Sequence, residues 1–168
     1  FEESYWSEYP GFYLTGDGGY RDEDGYVFVM GRTDDVINVA GHRLSTGRIE
    51  EVVAEHSAIA ECAVVGIADA EKGQVPVGLL LIKDGVNLDP KTLQAELVQA
   101  VRNAVGPIAN FKRALVVARL PKTRSGKILR QVIRSMIDGE PYIVPSTIDD
   151  PAIVDELYET LSSQGWIK

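Results

Sequence analysis

This chain of 168 residues holds one cysteine, two histidines and two methionines. A single cysteine, Cys62, excludes an internal disulfide, and no Asn-x-Ser/Thr site is present. Both absences suit a reducing compartment. Apolar runs such as Val77 to Ile82 fall far short of the roughly 20 residues that cross a bilayer. No basic-then-apolar leader stands at Phe1. The expectation is a cytoplasmic protein (the mitochondrial matrix if the source is eukaryotic) with no membrane partner. Positive charge is also scarce. The net charge of −8 argues against nucleic acid, whose binders usually carry a basic face. Internal repeats and low-complexity tracts are absent as well.

What the sequence does hold is 45% hydrophobic residues, enough for one packed domain with attached tails. It is organised around Gly31 to Glu50, GRTDDVINVAGHRLSTGRIE. Arg32, Asp34 and Asp35 open this stretch. A short apolar strand follows, Val36 to Val39, then a turn at Gly41-His42-Arg43, and Ser45 and Thr46 start an amphipathic helix. Ile49, Val52, Val53 and His56 recur at i, i+3, i+4 and i+7, one buried stripe. A histidine at the end of such a stripe is more often a satisfied boundary residue than a ligand.

Upstream, the aromatics Phe1, Tyr5, Trp6, Tyr9 and Phe12 show no period and have little nearby to bury them. A hairpin is predicted from Gly19-Tyr20-Arg21, the turn Asp22-Glu23-Asp24-Gly25 and the strand Tyr26 to Met30. Its carboxylates lack the spacing of a calcium loop. Downstream, Cys62 to Ile67 and Val75 to Lys83 read as buried strands, with Pro76 pushing the second towards an edge at its start. Cys62, amid Ala63-Val64-Val65, reads as core. Asp89-Pro90 is a strong helix start. Leu93, Leu97, Ala100, Val101 and Ala104 form that helix's stripe, and Gly106-Pro107 stops it. After a strand at Ala114 to Val117, a loop from Pro121 to Gly126 precedes a helix burying Leu129, Val132, Ile133, Met136 and Ile137. Asp150-Pro151 caps a terminal helix (Ile153, Leu157, Leu161) that a small domain need not have. The expected fold is α+β: a mainly antiparallel or mixed sheet covered by about three helices, plus the terminal helix.

Two phosphate-binding motifs are approached and missed. Around Arg124-Ser125-Gly126-Lys127, Pro121 and Ile128 occupy positions that need a glycine and a Ser or Thr. Gly16-x-Gly18-Gly19 lacks the dinucleotide spacing. What remains is Lys127, a mobile point charge beside a glycine that allows close approach of a ligand. Such a group can neutralise charge on a carboxylate attacking phosphorus, or on the phosphoryl oxygens. Asp17, after a Thr-Gly turn, suits a carboxylate accepting hydrogen bonds from two ribose hydroxyls, and Arg32 can add a donor to the same sugar. Lys122, Arg124, Lys127, Arg130 and Arg134 lie within thirteen residues. That cluster fits either a small anionic ligand or a solvated helix face.

In order and at this spacing, YLTGD, GRTDDVINVAGHRLSTGRIE and PKTRSGKILR resemble the adenylate-forming acyl-CoA synthetases. The resemblance runs from about Tyr13 to Arg134. The tail to Pro151 looks like the short-chain branch, the acetyl- and propionyl-CoA synthetases, and with GHRLSTG it is more similar to the propionyl type. The resemblance implies a ligase that joins a short-chain acid to ATP, giving acyl-AMP and pyrophosphate, and then passes the acyl group to coenzyme A. A small C-terminal domain would swing on a hinge between the two half-reactions. Asp17 and Arg32 would hold the ribose, Asp34 would be the hinge, and Arg43 would contact nucleotide phosphate. Ala40 and Gly41 would border the pantetheine, and Ala40, in place of a serine common in the family, loses a hydroxyl contact. Arg102 would meet the phosphorylated end of coenzyme A, and Lys127 would be the adenylation lysine. Mg2+ would come with the ATP. No metal site is expected in the chain, although His56 matches a histidine that can help bind a metal in relatives.

On this reading residues 1–33 are the tail end of a large N-terminal domain. Residues 34–142 are the mobile C-terminal domain, and residues 143–168 are a tail with a short helix. Expected partners are that N-terminal domain, a short-chain acid, ATP, coenzyme A, and a lysine acetyltransferase and deacetylase acting at Lys127. The chain alone is expected to fold but to be inert. The alternative is a non-catalytic nucleotide- or coenzyme A-binding module, and intact Asp17, Arg32, Gly41 and Lys127 weigh against it. A nucleic-acid binder using residues 122–134 is a third reading, opposed by the acidic net charge and the lack of interleaved aromatics.

Overall fold

A computed structural model describes residues 2–33 and 35–168, in two units, Phe1–Val36 and Ile37–Lys168. The first unit holds a short helix, α1 (Glu2–Tyr5), and an antiparallel pair, β1 (Asp17–Arg21) and β2 (Val27–Arg32). The hairpin is as expected, its turn closed by the Tyr26 N–H donating to Asp22 Oδ1 at 2.8 Å. A bulge between Gly18 and Gly19 sets the register that puts Asp17 opposite Arg32. A Cβ at Gly19 would lie 2.5 Å from the Phe28 carbonyl oxygen, so only glycine fits. The aromatic rings find partners locally: Tyr5 stacks on Tyr13 at 5.0 Å and Tyr20 on Phe28 at 4.9 Å. They stay substantially exposed all the same.

A five-stranded mixed sheet is the frame of the second unit. Its strands are β3 (Val36–Val39), β4 (His42–Ser45), β5 (Ile59–Asp69), β6 (Gly73–Ile82) and β7 (Arg113–Val116). β6 is central. It runs antiparallel to β5 on one side; on the other it meets β3 at Gly73 and then β7, in parallel, from Val77 to Leu80. Pro76 falls in the gap between those two neighbours, where β6 has a strand on one side only. A central strand thereby tolerates proline at a local edge. The β3–β4 turn is Ala40-Gly41, one residue earlier than the sequence suggests, and His42 and Arg43 already belong to β4. Ala40 and Gly41 have φ of 49° and 87°, the two left-handed positions of a tight hairpin turn.

Helices cover both faces of the sheet, and the period of two along β5 divides the core. Ala63, Val65 and Ile67 join one cluster with α4 (Arg130–Asp138) and α5 (Ala152–Ser163). Cys62 and Val64 join the other, with α2 (Thr46–Ala54) and α3 (Pro90–Ala104). Burial on both faces accounts for the unbroken run CAVVGI in place of an alternating pattern. The caps are those expected: Ser45 accepts the Arg48 N–H, and Asp89 accepts the Thr92 N–H at 2.9 Å ahead of Pro90. The Thr92 N–H, then its hydroxyl, hold the Asp89 carboxyl below the usual range. Ala104, expected in the α3 stripe, is exposed. The free edge of β5 is covered by carboxylates, since the Val64 N–H donates to Glu50 and the Ala68 N–H to Asp138. Such capping blunts an edge that would otherwise pair with another strand. Among the described residues no helix is long and apolar enough to cross a membrane.

The terminal helix is integral to this core. Ile153, Val154, Leu157, Leu161 and Trp166 are all buried with α4 and the sheet. Asp150 Oδ1 still accepts the Ala152 N–H at 3.0 Å, although Pro151 itself is the cap residue. Leu161→Ala should therefore destabilise the protein by about 2–5 kcal/mol, read as a lower urea midpoint at unchanged slope. A loss under about 0.5 kcal/mol would mean that α5 packs only peripherally.

Cys62 is buried in the other cluster, and burial, then the Glu50 and Glu61 carboxylates, push its thiol up from 9.0 to about 11. At pH 8 roughly one thiol in a thousand is thiolate, so alkylation of the native protein should be far slower than after urea unfolding. Equal rates would overturn the assignment of Cys62 to the core. The folded value lies above the unfolded one, so this group's stabilising contribution is complete below about pH 9 and is lost as pH rises towards 11.

Candidate functional site

Lys127 closes a three-residue loop, Arg124-Ser125-Gly126, just ahead of α4. The Thr123 N–H donates to the Lys127 carbonyl at 2.8 Å, and the Gly126 N–H to the Thr123 carbonyl at 2.8 Å. The Lys127 N–H donates to Thr123 Oγ1 at 3.1 Å. Gly126 has φ of 81°, and a Cβ there would meet nothing within 4 Å. Glycine suits the left-handed turn, and the open space beside it leaves room for a ligand to approach.

At the base of this loop Lys122 is bridged to Ile128 and its ammonium donates to Glu61, on β5, at 2.6 Å. Arg130, at the start of α4, makes a forked pair with Glu50, with bonds of 2.9 and 3.1 Å. Arg134 lies 3.9 Å from the buried Asp138. Three of the five clustered cations thus serve the fold. Among the described residues, no carboxylate pairs with Lys127, and its side chain faces solvent.

A second polar region surrounds the β3–β4 turn. The β5–β6 turn braces it: the Ala40 N–H donates to the Lys72 carbonyl, and the Asn38 N–H to Gln74 Oε1, both at 2.8 Å. Asp69 accepts the Lys72 and Glu71 N–H groups at 2.9 and 3.0 Å. Those two donors, Lys72 first, hold its carboxyl below the usual range. Gly41 is exposed, with nothing within 4 Å of where a Cβ would stand. Arg43 is exposed two residues further on. Arg102, in the last turn of α3, lines a groove of about 300 Å³ with Val98, Phe111 and Lys112. Two cations over an apolar floor can hold a phosphorylated group beside a flat ring. Lys112 escapes the sequence reading, because nothing short of the folded chain brings it beside Arg102.

Strand register relates the two regions. Glu61, which holds the base of the Lys127 loop, stands near the start of β5, and Asp69 ends it. The eight residue-to-residue steps from Glu61 to Asp69 span about 26 Å. The Gly41 turn meets the sheet where Val39 pairs with Gly73, itself opposite Asp69. The groove lies just before β7, whose Arg113 is aligned with Val77 and, through it, with Val65. Ala40, Gly41 and Arg43 therefore gather at the Asp69 end of β5, the Arg102 groove lies level with the middle of the strand, and Lys127 stands towards the Glu61 end. Arg43 shares its end with Gly41.

In the first unit Arg32 Nη1 lies 4.0 Å from Asp17 Oδ1 and donates to the Thr15 carbonyl at 2.9 Å. The side chains are 51% and 40% exposed. Thr15 Oγ1 accepts the Asp17 N–H at 3.2 Å. Gly16 has φ of 77°, and a Cβ on it would come within 3.0 Å of the Arg32 guanidinium. A carboxylate and a guanidinium held side by side can accept from and donate to vicinal hydroxyls. Asp34, the expected hinge, lies outside the described residues. His56 Nδ1 accepts the Ala58 N–H at 3.2 Å, which puts the ring proton on Nε2, 2.9 Å from Glu96. Both ring nitrogens are thus engaged, Nδ1 in the turn between α2 and β5 and Nε2 with Glu96 on α3. Among the described residues no three His, Cys, Asp or Glu side chains are grouped to hold a metal.

Residues 48–127 match the AMP-binding enzyme C-terminal domain. The chain is 60% identical over 159 residues to an uncharacterized protein of Pseudomonas aeruginosa, covering 95% of this chain and 25% of that protein. It is 49% identical over 161 residues to the mitochondrial acyl-CoA synthetase short-chain family member 3 of Mus musculus, covering 96% and 24%. The crystal structure of a Brucella canis acyl-CoA synthetase matches with a TM-score of 0.58 and 34% identity, over 75% of this chain and 23% of that one. The chain thus spans about a quarter of the length of the curated relatives it matches. The matched residues begin inside α2 and end on Lys127 itself, so they take in β5, β6, α3 and the lysine loop. On that match residues 48–127 of the chain belong to the family of AMP-binding enzyme C-terminal domains.

Proposed function

We propose that this chain is the C-terminal part of an AMP-forming short-chain acyl-CoA synthetase that works on propionate or acetate. The observation that carries the reading is the placing of the two polar regions at opposite ends of β5. A step that needs Lys127 and a step that needs Gly41 cannot share one reaction centre in a single orientation of this unit. A domain that turns about Asp34 can present each end in turn. We assign residues 1–33 to the end of the large N-terminal domain, residues 34–142 to the mobile domain, and residues 143–168 to a C-terminal extension whose helix packs on it.

In the first half-reaction a carboxylate oxygen of the acid attacks the α-phosphorus of ATP, and the bond to pyrophosphate breaks. The Lys127 ammonium offsets negative charge on the attacking carboxylate and on the phosphoryl oxygens. Asp17 accepts from the ribose hydroxyls and Arg32 donates to the same sugar. Mg2+ reaches the site on the nucleotide phosphates. In the second half-reaction the thiol sulfur of coenzyme A attacks the acyl carbon, and AMP leaves. Ala40 and Gly41 border the pantetheine, where only a methyl group projects. Arg102 takes the phosphorylated end, and Arg43 a nucleotide phosphate in this second orientation. Acetylation of Lys127 by a lysine acetyltransferase would remove its charge, and a deacetylase would restore it. The cytoplasm or the mitochondrial matrix fits such an enzyme.

Acid-dependent ATP–pyrophosphate exchange by the full-length protein, compared for acetate, propionate and butyrate, tests the activity and names the acid. Lys127→Ala should lower that exchange about 10²–10³-fold while thioester formation from supplied acyl-AMP stays within a few-fold of wild type. Lys127→Gln, a mimic of the acetylated side chain, should behave alike. Equal loss of both half-reactions would refute the role given to Lys127. Gly41→Val should show the opposite split, because a β-branched residue strains the left-handed turn and projects into the pantetheine path. Thioester formation unaffected in Gly41→Val would remove Gly41 from the second half-reaction.

A further inference from the structure

Lysine is a poor choice for precise placement, since its side chain has four freely rotating bonds and no planar group to lock it. The side chain of Lys127 is exposed and has no carboxylate partner among the described residues. Whatever precision it has must come from its backbone. Thr123 supplies that. Its N–H donates to the Lys127 carbonyl at 2.8 Å, and its Oγ1 accepts the Lys127 N–H at 3.1 Å. Its own carbonyl accepts the Gly126 N–H at 2.8 Å, and its hydroxyl pairs with Ser125 Oγ at 3.0 Å. Every polar atom of Thr123 is therefore engaged in the loop that presents Lys127.

Thr123 is held in turn by a segment far along the chain. It is bridged to Ile148; the Arg124 N–H donates to the Thr147 carbonyl, and the Asp149 N–H to the Lys122 carbonyl, both at 2.9 Å. Ile148 is 4% exposed and packs in the same cluster as α4 and α5. The segment Thr147–Asp149 thus lies against the lysine loop as a short added strand, anchored in the core. It falls outside residues 48–127, the part matched to the family. We infer that Thr123 is the positioning residue for Lys127 and that Thr147–Asp149 is the strap that keeps Thr123 in place; the inference rests on the adenylation role proposed above for Lys127.

The Thr123 hydroxyl works at the surface, where one hydrogen bond adds little to stability. Its loss should therefore register in the chemistry of Lys127 before it registers in folding. Thr123→Val keeps the shape and removes Oγ1, and Thr123→Ser restores an acceptor. In the full-length protein Thr123→Val should lower kcat for acid-dependent pyrophosphate exchange roughly ten- to a hundredfold. KM for ATP and thioester formation from supplied acyl-AMP should stay within about twofold, the melting temperature should be nearly unchanged, and Thr123→Ser should recover most of the activity. Amide hydrogen exchange at Lys127 should accelerate in Thr123→Val and not in Thr123→Ser. Ile148→Val, which loosens the strap without touching the loop's hydrogen bonds, should shift the same half-reaction by a smaller factor.

Wild-type exchange in Thr123→Val, with Lys127→Ala inactive, would overturn this inference and leave the proposed function standing. Equal loss of both half-reactions in Thr123→Val would reduce Thr123 to a structural residue. Undiminished exchange in Lys127→Ala would bring down the adenylation reading, and the inference with it.

Discussion

Both faces of the β5–β6 ribbon are buried under helices, and an apolar face in contact with another apolar face leaves no room for uncompensated charge. Polar chemistry is therefore confined to the ends of strands, to turns, and to the one free edge of β5. That edge is the scaffold of the lysine loop. Glu61 pairs with Lys122 at the base of the loop, and Glu50 accepts the Val64 N–H while gripping Arg130 at the start of α4. Glu50 and Arg130 are only 17% and 25% exposed, so removing either would leave a poorly solvated charge behind. Glu50, which helps to stop β5 from recruiting a further strand, thus also anchors the start of α4 just behind Lys127.

Much of this was legible at short range. The caps at Ser45 and Asp89, the helical stripes, the two buried strands and the ordered motifs are all written within a few neighbouring residues, and local sterics and burial enforce them. What the sequence hid was long-range or conformational. Ala40 takes a left-handed φ that its side chain disfavours, so the β3–β4 turn read one residue too late. The central place of β6 depends on partners that arrive from β3 and β7, on either side of Pro76. The terminal helix looked dispensable because its apolar stripe names no partner; the partners are on α4 and the sheet. Lys112 and the strap at Thr147–Asp149 become visible only when segments far apart in the chain are brought together. At Gly126 the left-handed turn adds a conformational demand that the sequence reading did not name.

The separation of the two polar regions also bears on how such a unit can move. The anchors of the Lys127 loop and of the Gly41 turn lie about 26 Å apart along β5. A lysine side chain reaches roughly a quarter of that distance. Bending the sheet to close the gap would disturb two tightly packed cores, whose interiors resist deformation much as a crystal does. Rearrangement of the loops alone would have to break the braces on each: the Glu61 and Glu50 pairs at one end, and the Lys72 and Gln74 contacts at the other. The low-energy alternative keeps every one of these contacts and moves the whole unit, with the torsional change confined to a few residues outside the sheet. For the two-step reaction proposed above, a fold rigid enough to hold two sets of groups at opposite ends has the advantage that neither set has to be rebuilt when the other is in use.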